Sequence, residues 1–381
     1  MKTAPRGQVR RHWKIFLVVG ARPNIMKVSA VWRALQKYPR LRCNIVHTGQ
    51  HYDEKLSKVF FKQFGLPRPM INLQVGSLPR QQQIALTTRK FAALCKRTSP
   101  DLVVVVGDTN STLGAAQGAR RCGIRIAHVE AGLRSFDTTM PEELNRRKTD
   151  QIADFLFVTE RSAIQNLVKE GIPRACIYFT GNTMVDTLVQ QWKNISNSRI
   201  LKRLSLQRYA YSVVTLHRPS NVDRKASLEQ VLSFVCSLSQ YGEVILPLHP
   251  RTAQRIKKYR LRAALQRAGV LLIPPLGYWD FLHLLRHSKF IVTDSGGVQE
   301  EATFLRVPCF TLRNNTERPV TITQGSNTLL GTNIPRAKKR LTRILARKKT
   351  LRIPELWDGG AGERIAAVLA EHMTSSEQKF G

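Results

Sequence analysis

Three sets of residues in this chain have the types and spacing of working chemistry. Carboxylates follow apolar runs at Asp108 in GDTNSTLGAA and at Glu130 in IAHVEAGLRSFD, and a further pair stands at Glu142 and Glu143 in TMPEELNRR. Acids placed in this way can take and return protons. His217 and Arg218 in TLHRPSN set an imidazole, a second proton-transfer group, beside a fixed cation. In TDSGGVQEE, residues 293–301, two glycines stand between an apolar run and a helical stretch, an arrangement in which the amides of a helix N-terminus receive a phosphate. Glu300 and Glu301 would repel an anion beside them, so at least one is expected to face something else, such as sugar hydroxyls or a ribose diol. Each feature also has a plainer reading. Asp108 could cap the helix that follows it, and Glu130, with its buried approach, could be a structural partner of Arg134 or Arg146. Ser295-Gly296-Gly297 could be a tight turn with glutamate capping the helix start. A strand-end histidine could be a hydrogen-bonded core residue.

The elements that must position these groups are short apolar runs alternating with helical stretches. KIFLVVG, NIVHTG, DLVVVVGD, RIAHVEAG and FLFVTE occupy the first half, and YSVVTLH, EVILPLH, VLLIPP, FIVTD and VPCFTLR the second. Continuous runs of this kind belong to strands buried on both faces, hence to parallel sheets covered by helices in an α/β fold. At 381 residues and 42% apolar composition, two domains with their own cores are expected. The polar stretch 190–211 breaks the rhythm and places the boundary there or slightly before. In open parallel sheets a ligand lies beyond the carboxyl ends of the strands. There the polar residues collect: Arg22, Gln50, His51, Asp108, Glu130, His217, His249, Asp294 and Ser295. Two Rossmann-like domains facing a ligand cleft are the expected architecture.

Several chemistries are disfavoured. No G-x-G-x-x-G, P-loop or nucleophile elbow occurs, which argues against hydride transfer and nucleotide triphosphate hydrolysis. The six cysteines are widely spaced without C-x-x-C, fitting neither a disulfide framework nor zinc, so no metal is expected and a reducing cytoplasm is. No apolar run approaches the ~20 residues of a membrane span, and the basic start MKTAPRGQVRRHWK reads as a lead-in to the first strand. The formal charge of +35 invites a polyanion, yet the excess is spread along the chain. Its densest run, AKKRLTRILARKKTLR at 337–352, has eight basic residues in sixteen with Leu341, Ile344 and Leu345 at helical spacing. A solvated helix face is the simpler reading, with weak contact to a polyanion or an anionic membrane surface as the alternative; no specific nucleic acid partner is expected.

Taken together, GARPNIMK, HTGQHYDEKLSKVFF, GDTNSTLGAA, HVEAGLRSFDTTMPEELNRRKTDQIAD, GNTMVDTL, TLHRPSNVD, LPLHPRT, TDSGGVQEEA, LRNNTERP and GAGERI resemble, in order and over nearly the whole chain, the non-hydrolysing UDP-N-acetylglucosamine 2-epimerases. The resemblance implies a fold of glycosyltransferase-B type, a homodimer, a UDP-sugar substrate and no cofactor. It implies C2 epimerisation by elimination of UDP to 2-acetamidoglucal and re-addition, with Asp108, Glu130, Glu142 and His217 as catalytic groups. It further implies substrate binding by Arg22 and Lys27, phosphate binding by Ser295, Gly296 and Gly297, ribose binding by Glu301, and a nucleotide-sugar contact from Arg318. Arg313 supports that loop or packs. The expected domains are a lead-in at 1–13, a first domain at 14–188 with the carboxylates, a second at 189–365 with the UDP site, and a terminal helix and tail at 366–381 that packs back on the first.

The chain also departs from the family's usual pattern. ARPN stands where TRPE is common, so Asn24 lacks the acid found there. Gln50-His51 is followed by Tyr52-Asp53 in place of the arginine-containing motif of allosterically regulated relatives. The forms SFDTTMPEELNRR and HRPSNVD are also similar to epimerases of UDP-diacetamido-glucuronate, while the retained TERP favours the plain N-acetylhexosamine.

Overall fold

A computed structural model describes residues 12–50, 60–346 and 351–375. The lead-in up to residue 11, His51 to Asp53, and residues 347–350 of the basic run lie outside the described residues. Contacts group the chain into two units, one of residues 1–133, 138–187 and 358–381, the other of 134–137 and 188–357.

In the first unit β1 (Trp13–Val19), β2 (Leu41–His47), β3 (Ile71–Asn72), β4 (Leu102–Val106), β5 (Arg125–Ala131), β6 (Phe155–Val158) and β7 (Ile177–Phe179) form one sheet in the order β3-β2-β1-β4-β5-β6-β7. Every pairing is parallel. The order reverses between β1 and β4, the switch point where the loops after two neighbouring strands diverge and leave a crevice. Helix α1 (Arg22–Leu35) leaves β1 there, and Gly107-Asp108 leaves β4 beside it. Val103, Val105, Phe16 and Val46 bury one face of the sheet against Phe91, Leu94, Ala115 and Ala119. Burial of such side chains at about 25 cal/mol per Å2 is what holds the strand ends in place.

The second unit repeats the plan. β8 (Tyr211–Thr215), β9 (Glu243–Pro247), β10 (Val270–Ile273), β11 (Phe290–Thr293), β12 (Cys309–Thr311) and β13 (Asn327–Leu329) run in the order β10-β9-β8-β11-β12-β13, again all parallel. Its switch point lies between β8 and β11, where Thr215 pairs with Thr293. The ten apolar runs read from the sequence are all strands. β3, β7 and β13, of two or three residues, were not among them: so short a strand has no period to read, and β12, equally short, was legible only through the run VPCFTLR around it. In the basic run, the helix Ile334–Leu345 buries Ala337 and Leu341 and exposes Lys338, Lys339, Arg340 and Arg343, the pattern of a solvated face. No described helix is long and apolar enough to cross a membrane.

The last described helix, Ala361–Ser375, packs on α1 so closely that a Cβ at Gly362 would lie 2.6 Å from the Ala30 carbonyl oxygen. Asp186 seats its first turn by accepting hydrogen bonds from Ala361 N (3.1 Å) and Gly362 N (2.6 Å). Burial pushes the Asp186 carboxyl up to about 6, against the opposing pull of those amides. A carboxyl raised in the folded state stabilises the fold fully below pH ~4, and that contribution is lost as pH rises through about 6. Thermal denaturation of wild type and Asp186→Asn from pH 4 to 7 checks this. The stability of wild type relative to the variant is expected to fall by about 3 kcal/mol across that range.

Candidate active site

The first unit gathers its site from the loops at its switch point. Gly107 has φ +67° and sits where a Cβ would lie 3.2 Å from Lys27 Nζ, so the glycine leaves room for that ammonium. Lys27 itself is buried on α1 and ion-pairs closely with Glu130. Glu130, 2% exposed, occupies an irregularity in the β5–β6 pairing with φ +70°. A non-glycine residue held in the left-handed region costs of order 1–3 kcal/mol, and such strain collects at functional sites. Arg146, on the helix Pro141–Ile152, ion-pairs with Asp108 and lies 4.0 Å from Glu130. Asn145, one residue before it, donates to the Asp108 carbonyl (3.0 Å) and to Asn110 Oδ1 (2.9 Å). Glu142 is half-buried in the first turn of the same helix, near its positive end, and Glu143 is buried behind it.

The geometry thus decides between readings that the sequence left open. Asp108 does not cap the next helix: Thr109 does, accepting from Thr112 N at 3.3 Å, which leaves the carboxylate to Arg146. Arg146 is one of the two arginines expected near Glu130, but the closer cation is Lys27, which the sequence placed at the site only through the family resemblance. Arg22 opens α1, and its side chain lies outside the described set. Asn24 stands where an acid is usual because its amide does two jobs. Its Oδ1 accepts from Gly20 N (3.4 Å) and Ala21 N (3.1 Å), while its Nδ2 donates to the Val106 carbonyl (3.0 Å), which no carboxylate could do.

In the second unit the organising group is Asp294, at the end of β11 and fully buried. It accepts from His217 N (3.1 and 3.0 Å), Arg218 N (2.9 Å) and Asn221 Nδ2 (3.0 Å), and its Oδ1 lies 2.9 Å from His217 Nδ1. Burial works to raise its pKa, but the bonds and charge of His217, with those of Arg218 and Asn221, outweigh it and hold the carboxyl below its ordinary value. The anion fixes the imidazole with Nδ1 inward and Nε2 on the other side of the ring, on a side chain that is 37% exposed. His249 lies alongside, ring centroids 5.3 Å apart, with its pKa lowered by burial and by the neighbouring His217. The sequence marks Asp294 only as a strand-end polar residue. The available signal was its place at the end of FIVTD, with TLH ending a strand in the same domain. That the two strands are neighbours is a fact of topology.

The helix Gly296–Leu305 follows directly, with Ser295 at its N-cap position but making no side-chain cap bond. Glu300 and Glu301 lie in its second turn and are buried, so they do not cap the helix start either. The two glycines serve different ends. A Cβ at Gly296 would lie 3.0 Å from Glu317 Oε1, whereas at Gly297 it would meet nothing within 4 Å beyond the backbone of its own helix and its chain neighbours. Backbone at Gly297 is therefore open to close approach by a ligand. Arg318 pairs with Glu300 (2.8 Å) and Glu317 (3.4 Å), and Arg313 with Glu317 (2.8 Å). Arg218 lies 3.8 Å from Glu317, so three guanidinium groups border this helix start. Glu300 thus faces a protein cation, Arg318. Among the described residues, no group of three or more His, Cys, Asp or Glu side chains is placed to hold a metal ion.

Residues 33–370 match the family model described as UDP-N-acetylglucosamine 2-epimerase. The chain belongs to that family. Within this family of isomerases, a UDP-N-acetylglucosamine 2-epimerase of Methanocaldococcus jannaschii is 40% identical over 93% of this chain and 98% of its own length. The crystal structure of the Methanocaldococcus jannaschii UDP-GlcNAc 2-epimerase in complex with UDP-GlcNAc and UDP has a TM-score of 0.87, covering 94% of this chain and 99% of that one at 40% identity. A UDP-2,3-diacetamido-2,3-dideoxy-D-glucuronate 2-epimerase of Pseudomonas aeruginosa is 37% identical over 94% of this chain and 99% of its own. The two parallel-sheet α/β units of this epimerase-family chain are of the glycosyltransferase-B type.

Proposed function

We propose that the chain interconverts UDP-N-acetylglucosamine and UDP-N-acetylmannosamine by anti elimination of UDP and its re-addition to 2-acetamidoglucal. The observation that carries this reading is the buried Glu130, strained at φ +70°, ion-paired with Lys27 and tied through Arg146 to Asp108. The C2 hydrogen of the sugar is weakly acidic. Its removal is feasible when a carboxylate takes the proton while the C1–O bond breaks and the electron pair leaves with the diphosphate. In the reverse half, UDP adds back at C1 and a proton is delivered to the other face of C2, so two faces need more than one acid or base. Asp108, Glu130 and Glu142 provide them. On the second unit the amides at Ser295, Gly296 and Gly297 take the diphosphate at a helix N-terminus. His217, oriented by Asp294, offers Nε2 to the departing phosphate oxygen. Arg22 and Arg318 add positive charge for the nucleotide, and Glu301 is assigned the ribose hydroxyls.

The similarity to the Pseudomonas aeruginosa enzyme supports a second reading in which the sugar is a diacetamido-glucuronate; the TERP segment with Arg318 favours the plain N-acetylhexosamine. The family resemblance also supports a homodimer whose product feeds cell-surface polysaccharide synthesis, and the widely spaced cysteines support a place in the reducing cytoplasm. Incubation of purified protein with UDP-N-acetylglucosamine, without added nicotinamide cofactor or metal, is expected to yield UDP-N-acetylmannosamine at equilibrium, read by proton NMR. Release of free N-acetylmannosamine with UDP would instead make the chain a hydrolase on the same fold.

A further inference from the structure

Between the two strand ends that bear Asp108 and Glu130 lies a buried pair that the reaction scheme above does not use. His128 and Asp150 are both fully buried, with Nδ1 2.7 Å from Asp150 Oδ1 and Nε2 2.8 Å from the Gly107 carbonyl oxygen. The other oxygen of Asp150 accepts from Gly132 N at 3.2 Å. The Gly107 carbonyl can only accept, so Nε2 carries a hydrogen; one further hydrogen lies between Nδ1 and Oδ1. These bonds grip backbone immediately before Asp108 and on both sides of Glu130. Gly107 N also donates to the Val129 carbonyl (3.0 Å), closing the ring of contacts around the strained residue. A left-handed φ on a non-glycine residue persists only where its surroundings over-determine it.

We propose that His128 and Asp150 form a positioning pair for the reaction, clamping the Gly107 carbonyl and the Gly132 amide so that the Asp108 and Glu130 carboxylates hold their spacing about Lys27 and Arg146. The inference rests on the epimerase reading of Asp108 and Glu130. Its essential link is the bond from Nε2 to Gly107, and it requires a donor there and an acceptor at Gly132, with no net proton movement through the pair. Asp150→Asn can satisfy both: the new amide donates to Nδ1, His128 keeps its Nε2 hydrogen for Gly107, and the amide oxygen accepts from Gly132. His128→Asn places a donor near the Nδ1 position toward Asp150 but has no reach to Gly107.

The test compares wild type, Asp150→Asn, Asp150→Ala and His128→Asn by steady-state kinetics on UDP-N-acetylglucosamine and by amide hydrogen exchange. His128→Asn is expected to lose about ten- to a hundredfold in kcat, with KM within about threefold of wild type. Faster exchange is expected at residues 107–109 and 130–132 while the second unit exchanges as before. Asp150→Asn should stay within about threefold of wild type in kcat, and Asp150→Ala should fall with His128→Asn. A folded His128→Asn with wild-type kcat and exchange would overturn the proposal. So would an Asp150→Asn as impaired as Asp150→Ala, which would make the pair a proton carrier. Should His128→Asn fail to fold, the two Asp150 variants decide alone. A wild type that turns over no UDP-N-acetylglucosamine would sink the proposed function, whereas the exchange data would still confirm or refute the clamp.

Discussion

Replacing Glu130 with glutamine is expected to lower kcat by about 10²–10⁴-fold while leaving the fold intact. The amide keeps the shape of the side chain and an oxygen for Lys27, so the left-handed position at φ +70° and its close contact survive. The charge and the ability to take a proton do not. The complementary change separates catalysis from folding. Lys27→Met leaves the Glu130 carboxylate buried with its closer cation gone, and breaking a buried pair by removing one member costs about 3–5 kcal/mol. Glu130→Gln leaves the buried Lys27 ammonium likewise without its counter-ion, so both variants should melt below wild type by similar amounts, while only Glu130→Gln lacks the proton-accepting carboxylate. Denaturation and kinetics on the two proteins check both halves. A Glu130→Gln enzyme within tenfold of wild-type kcat would remove Glu130 from the chemistry.

Asp294→Asn should impair both unit stability and turnover. The position receives hydrogen bonds from two backbone amides and Asn221 and faces His217 Nδ1, an arrangement that suits a carboxylate. An amide offers one acceptor and turns its own N–H groups on those donors, and each buried donor left unmet costs about 1–3 kcal/mol. Without the anion, His217 can adopt the other tautomer and loses its orientation, so kcat is expected to fall about a hundredfold or more. The pH dependence has a definite sign. The Asp294 carboxyl is held below its ordinary value, so its contribution to stability is present above pH ~4 and is lost as pH falls through the lower folded-state value. Acid titration of unfolding should show the wild type losing its advantage over Asp294→Asn on the acidic side. Equal acid sensitivity would contradict the role given to this carboxylate.

What could be read in the sequence divides along physical lines. Ten of the thirteen described strands were legible because strands buried on both faces are continuous apolar runs, and the positions of Asp108, Glu130, His217 and Ser295 at their carboxyl ends followed from those runs. Apart from Arg146 beside Glu130, the partnerships were not legible. Lys27 reaches Glu130 because α1 follows β1 and β4 lies between β1 and β5, with Gly107 clearing its path. Asp294 meets His217 because β8 and β11 are neighbours across a reversal of strand order, which no local pattern encodes. His128 was visible only as one letter of an apolar run, since a histidine inside a strand gives no sign of what its two nitrogens will touch. Asn24 looked like a missing acid until the carbonyl it serves was in view.

The central claim is that C2 of the sugar exchanges its proton with acids of the first unit while UDP departs and returns. It is tested most directly by following UDP-N-acetylglucosamine in deuterium oxide by NMR, with wild type and Glu130→Gln side by side. Wild type is expected to place solvent deuterium at C2 of both epimers as UDP-N-acetylmannosamine accumulates, and Glu130→Gln to do so at a rate lower by the factor seen in kcat. Epimerisation that retains the original C2 hydrogen would contradict the account.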